Sequence, residues 1–211
     1  MHVGRLFMKY QLEDIAEIAL KLVDLGMGIE KNLILITALP GVGKTTLARE
    51  FARQTKGTHF DIDDIKRVVV PEEMVTEGID PPEYRYKYYA GAIRKLPDLF
   101  AQSAVKIVIM DETFHLKAFR YMWDDAAKEL NIRLHWVRAV CDEVIVKKRL
   151  SIGKDREKHI LAGGGHQMYL LFKKEYEPIK ESHEIVDTGK DIVPQVQRII
   201  SERSIGKKTI P

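Results

Sequence analysis

The sequence predicts an α/β fold in which helices cover both faces of a parallel sheet. Two observations carry this expectation. Short, nearly continuous apolar runs alternate with stretches of helical periodicity, and strands that are apolar throughout are those buried on both faces. The first run, Leu33-Ile34-Leu35-Ile36, leads directly into Ala38-Leu39-Pro40-Gly41-Val42-Gly43-Lys44-Thr45-Thr46, a strand feeding a phosphate-binding loop. A length of 211 residues suits one domain with small insertions.

Taken in order, Leu12, Ile15, Ala16, Ala19, Leu22 and Val23 recur at helical spacing, with Gly26 and Gly28 as the stop. They predict an extra amphipathic N-terminal helix within residues 1–31, packed on the sheet or on a second subunit. The main domain is expected over 32–205, with strands at Asn32 to Thr37, Thr58 to Ile62, Val105 to Met110, Arg133 to Val140 and Glu184 to Val186. A helical insertion is expected over about 67–104. Within it Pro81-Pro82 should start a helix at the second proline, whose tyrosines pack one face on the core or stack on bases. Residues 206–211 read as a frayed basic tail.

Composition narrows the function. The 34 basic and 31 acidic residues give a formal charge of +3, too balanced to argue for broad electrostatic binding of nucleic acid. The single cysteine, Cys141, excludes an internal disulfide and fits a reducing compartment. No apolar run approaches the roughly 20 residues of a membrane span, and Glu13, Asp14, Glu17 and Lys21 interrupt any leader-like stretch. A cytoplasmic protein with no membrane partner is the expectation; oligomeric state is unspecified. His59, His115 and His166 show no metal-ligand spacing with one another or with Cys141, so no zinc is assigned.

The loop carries the clearest chemistry. Gly41 and Gly43 let backbone N–H groups turn toward phosphate oxygens, and the following helix presents its positive N-terminus to the same anion. Pro40, Gly41, Val42, Gly43, Lys44, Thr45 and Thr46 are the expected contacts to ATP or GTP. Lys44 should reach the β- and γ-phosphates, Thr45 should hold Mg²⁺, and Thr46 should start the helix. Ala38 occupies the position where the strict pattern has glycine, which is tolerable if no positive φ is needed there.

Ligands of such sheets sit at the C-terminal ends of the strands. After the second strand, Asp61-Ile62-Asp63-Asp64-Ile65-Lys66-Arg67 offers Asp63 as base toward an acceptor hydroxyl, with Asp61 and Asp64 as alternatives and a helix N-cap as the structural reading. Lys66 and Arg67 are the cations for the acceptor. At the end of the third strand Asp111 is the candidate for Mg²⁺, with Glu112 able to replace it. Lys147-Lys148-Arg149 and Gly153 to Lys158, followed by Gly163-Gly164-Gly165, read as a cationic lid over about 150–166. In it Arg149 and Arg156 would grip phosphate oxygens in the transition state.

Together, Leu39 to Thr46, Asp63-Asp64-Ile65-Lys66, Asp111-Glu112-Thr113-Phe114-His115 with Arg120, and Cys141-Asp142-Glu143-Val144 with Arg149 resemble the P-loop kinases related to polynucleotide kinase and zeta toxins, over about residues 32–200. The resemblance implies a three-layer P-loop NTPase fold with a five-stranded parallel sheet, order 2-3-1-4-5, and a helical lid. It implies transfer of the γ-phosphoryl of ATP to a hydroxyl, with Asp63 as base and Lys66 and Arg120 on the acceptor side. A small metabolite ranks narrowly ahead of a polynucleotide 5′-hydroxyl or the serine of a charged tRNA. A nucleotide-dependent switch or ATPase acting on a protein partner is the rival. The chain departs from the family pattern in carrying Lys at position 66 where members usually have Arg, and Ala162-Gly163-Gly164-Gly165 after the lid cations.

Overall fold

The computed structural model describes residues 30–69, 81–102, 104–152 and 165–206, excluding the side chains of residues 67, 69 and 152. The expected N-terminal helix, the tail from residue 207 and the lid residues 153–164 lie outside that set. Five strands, β1 (Asn32–Thr37), β2 (Thr58–His59), β3 (Ile107–Glu112), β4 (Arg133–Val140) and β5 (His183–Asp187), form one parallel sheet in the order β2-β3-β1-β4-β5. Seven helices complete the described chain: α1 (Lys44–Thr55), α2 (Ile62–Val69), α3 (Pro82–Ala101), α4 (Lys117–Glu129), α5 (Glu143–Ile152), α6 (Gly165–Glu175) and α7 (Ile192–Glu202).

Side chains alternate across the sheet and so build two cores. Leu33, Leu35, Val108 and Met110 face α3 and α4, where Tyr88, Tyr89, Phe114, Phe119 and Trp123 are fully buried. Ile34, Ile36, Ile109 and Val137 face α1 and α7, against Leu47, Phe51, Val196 and Ile199. All six residues of β1 are buried, as expected for a central strand of a sheet covered twice.

Three strands differ in extent from the sequence reading: β5 is one residue longer at each end, and β2 and β3 differ for identifiable reasons. β2 stops at His59, because after Phe60 N–H donates to Ile109 O at 2.9 Å the Asp61 carboxylate accepts from Asp63 N–H at 3.0 Å and starts α2. Ile62 is therefore the first residue of a helix. β3 begins and ends two residues later than expected: Val105 N–H is held in a turn by Gln102 O at 2.9 Å, while Asp111 and Glu112 stay in register with Ile36 and Thr37. In the insertion, α3 begins at Pro82, where a missing N–H costs nothing. Tyr88 and Tyr89 lie in the core, and Tyr86 remains partly exposed with its edge on Phe119. Among the described residues no helix is long and apolar enough to cross a membrane.

Candidate active site

The phosphate loop forms where β1 ends. Gly41 and Gly43 take φ of 76° and 106°, conformations that L side chains rarely adopt, and α1 begins at Lys44. A Cβ on Gly41 would also stand 2.7 Å from Leu150 Cγ. Ala38 has no positive φ, which explains why alanine is accepted there. The loop is braced from behind. The Val42 carbonyl accepts from Arg149 Nη1 at 2.9 Å and from the Thr188 hydroxyl, while Arg149 Nη2 donates to Thr188 O at 2.7 Å. On this side a cleft of about 400 Å³ is lined by Gly43, Thr46, Arg149, Thr188, Lys190 and Asp191.

The alternation that builds two cores also divides the acids at the end of β3. Asp111 continues the row of Ile107 and Ile109 and so emerges on the α1 face. There its Oδ2 accepts from Thr45 Oγ1 at 2.9 Å, and its Oδ1 lies 2.6 Å from His59 Nε2. A hydroxyl and a carboxylate side by side are hard oxygen donors, so this pair suits Mg²⁺, which would take its other ligands from water and phosphate.

Glu112 continues the row of Val108 and Met110 and emerges on the opposite face. It accepts from Thr113 N–H at 2.8 Å and meets Arg85 Nη1 of α3 at 3.4 Å. Arg85 is almost fully buried, with its guanidinium 5.1 Å from the centre of the Phe172 ring. Burial acts to raise the Glu112 carboxyl, but Arg85, followed by Lys44 and Lys66, outweighs it and holds the group well below the usual carboxylate range. Asp63, half-buried in the first turn of α2, goes the other way. Burial, followed by the charges of Glu112 and Asp61, pushes it up to about 6, against the pull of Lys66 and Lys44. Three carboxylates and two ammonium groups thus share one field beside the phosphate loop, and the Asp63 carboxyl is the one raised toward neutral pH.

A family model described as chromatin associated protein KTI12 matches residues 32–187, from the start of β1 to the end of β5. The chain belongs to the KTI12 family. Solved structures with the same fold include a Chaetomium thermophilum Kti12 in complex with ADP-AlF3, with 16% identity over 82% of this chain and 98% of that one and a TM-score of 0.60. A Mycobacterium tuberculosis APS kinase in complex with AMPPNP and APS has 15% identity over 83% and 99%, with a TM-score of 0.60. A sugar kinase from Janibacter sp. HTCC2649 has 18% identity over 83% and 95%, also with a TM-score of 0.60. The fold is that of the P-loop kinases.

Within this KTI12-family chain, Lys44, Thr45, Asp63, Lys66 and Asp111 come together at the C-terminal edge of β1 and β3. Asp61 takes the capping role that the sequence left open among the three acids, which leaves the Asp63 carboxylate facing the cations. Arg149 belongs to the brace behind the loop. Arg156 lies outside the described residues, as does the side chain of Arg67. Arg120 requires a correction: expected to contact the acceptor, it is fully buried. Its guanidinium donates to the carbonyls of Phe114, His115, Glu177 and Pro178 at 2.9 to 3.3 Å, with Glu181 Oε2 3.4 Å from Nε. It ties the β3–α4 loop to the segment after α6 and presents no surface to a ligand. His115 is likewise enclosed, packed on Phe119 and Phe172, and burial followed by Arg85 pushes it down to about 4. The sequence reading did not single out Arg85 or Thr188, nor the separate place of Glu112. Thr188 lies just past β5, where strand-end logic points; the period of two along β3 would have separated Asp111 from Glu112.

Proposed function

We propose that this chain is a Mg²⁺-dependent phosphotransferase that moves the γ-phosphoryl group of ATP or GTP to a hydroxyl acceptor. The single observation that carries this reading is Asp63: a carboxyl held at about 6 beside Lys66 and Lys44, on the acceptor side of the loop. An ATPase or switch has no need of a base for an acceptor. In this scheme the loop and Lys44 hold the triphosphate, and Asp63 takes the proton of the acceptor hydroxyl as its oxygen bonds to the γ-phosphorus and the bond to the β–γ bridging oxygen breaks. Thr45 and Asp111 would hold Mg²⁺, which would neutralise charge on the phosphates. Lys66 and Arg67 would orient the acceptor, and Arg156 would act from the lid. The acceptor ranks first as a small metabolite, ahead of a polynucleotide 5′-hydroxyl or a seryl-tRNA, and the lone Cys141 supports a cytoplasmic setting.

A second reading draws on the family. The Kti12 structure holds ADP-AlF3, and a nucleotide-gated module acting on a partner would need the loop and Asp111 but not Asp63. Incubation of the protein with γ-labelled ATP and pooled metabolites, RNA and tRNA separates the two. Label in an acceptor supports transfer, and label found only as free phosphate supports the switch. Lys44→Ala should abolish nucleotide binding. Asp63→Asn should spare binding and lower transfer at least a hundredfold; equal losses in both would assign Asp63 to metal or structure instead.

A further inference from the structure

A second cavity, of about 350 Å³, opens on the other side of the phosphate loop, lined by Leu39, Arg138, Cys141, Tyr169, Lys173 and Tyr176. We propose that Arg138 forms an anion subsite there, which takes a phosphate or carboxylate group carried by the acceptor. Three observations support it. Arg138 pairs in register with Thr37, and Thr37 pairs with Glu112, so the three side chains stand in one row on the same face of the sheet. Two strand spacings of about 4.8 Å put Arg138 roughly 10 Å from Glu112, a span that a sugar phosphate or a nucleotide can bridge. The guanidinium is also held ready for a ligand: it lies 5.8 Å from the centre of the Tyr176 ring, and the Tyr176 hydroxyl is fixed 2.7 Å from Thr37 Oγ1.

Finally, Arg138 is half-buried, yet among the described residues no carboxylate or other acceptor bonds its guanidinium. A partly desolvated cation without a counter-ion is unfavourable, and an oxyanion gripped by the guanidinium fork would offset that cost. Lys173, which is paired with Glu143 at 2.5 Å, adds a second cation at the rim. The term acceptor rests on the phosphotransferase reading. The subsite itself does not.

Cys141, the only cysteine in the sequence, lines this cavity and serves as its reporter. Alkylation of the full chain by iodoacetamide at matched ionic strength is measured against rising inorganic phosphate or acetate. Phosphate, or acetate if the subsite prefers a carboxylate, should slow alkylation saturably in the wild type and equally in Lys44→Ala. The protecting concentration should rise at least tenfold in Arg138→Gln. Arg138→Lys, which keeps the charge without the fork, should fall between the two and carries the test if the glutamine variant melts early. Protection that persists in Arg138→Gln, protection lost in Lys44→Ala, or no protection by either anion would overturn the proposal. Failure of label transfer would sink the kinase reading while leaving this result intact.

Discussion

The acid–base state of Asp63 leads to the sharpest prediction. A base must be ionised to accept a proton, so with a folded value of about 6 about one-tenth of the enzyme is competent at pH 5 and about nine-tenths at pH 7. kcat/KM for transfer should therefore rise about tenfold over that interval. The decisive perturbation is Glu112→Gln. Burial is the largest influence raising Asp63, and Glu112 is the next, so neutralising Glu112 leaves the burial contribution and frees Lys44 and Lys66 to favour the carboxylate. The inflection should move to lower pH by about half a unit or more, so that the rise in activity from pH 5 to pH 7 is smaller in the variant than in the wild type. The assay is acceptor-dependent ADP release across pH 4.5 to 8. Titration of the nucleotide's own phosphate is common to both proteins and cancels in the comparison. An unmoved inflection in Glu112→Gln would refute the idea that these two carboxylates share a field.

The same group sets a stability trend. Asp63 binds its proton more tightly folded, at about 6, than at the ordinary value of 3.8, so its contribution to stability is present below 3.8 and is lost as pH rises to about 6. Asp63→Asn should accordingly melt roughly a few degrees higher than wild type at pH 7, with the gain vanishing below about pH 4; a lower melting temperature at pH 7 would contradict the assignment. Arg120→Ala should cost about 3 kcal/mol or more in chemical denaturation, because four carbonyls lose a buried donor, while nucleotide affinity measured on the folded protein changes little. A loss of acceptor affinity at unchanged stability would restore its expected ligand role. Thr188→Val removes one of the two side chains on the Val42 carbonyl and should weaken Mg·ADP binding by about 1 kcal/mol, read by calorimetry; unchanged affinity would show that Arg149 alone suffices.

Much of the fold is written locally. β1 is an apolar run long enough to fix its own limits, β4 is legible from Leu134, Trp136, Val137, Ala139 and Val140 between its polar residues, and the loop glycines announce the turn that follows β1. The edge strand β2 is not legible in this way. It is apolar enough to continue, but Asp61 caps a helix first, a competition between two local preferences that only the folded chain resolves. In the site, motif spacing brings Lys44, Thr45, Asp63 and Asp111 into view because each follows a strand or opens a helix. Arg85 is hidden among tyrosines whose packing shows only once α3 lies over the sheet. Arg120 misleads because two of the carbonyls it serves, those of Glu177 and Pro178, lie 57 and 58 residues away in sequence, so its own helix does not reveal that its Nη2 donors are already committed.

The division of neighbouring acids between the two sides of β3 has a consequence for how this scaffold can vary. In the proposed reaction Asp111 would serve the magnesium and triphosphate half and Glu112 the half that receives the phosphoryl group, and one peptide bond joins them. Inserting or deleting a single residue upstream in that strand would turn each acid to the opposite face of the sheet. Diversification among relatives should therefore proceed through the helices and loops above this edge, with the strand itself held to a fixed length.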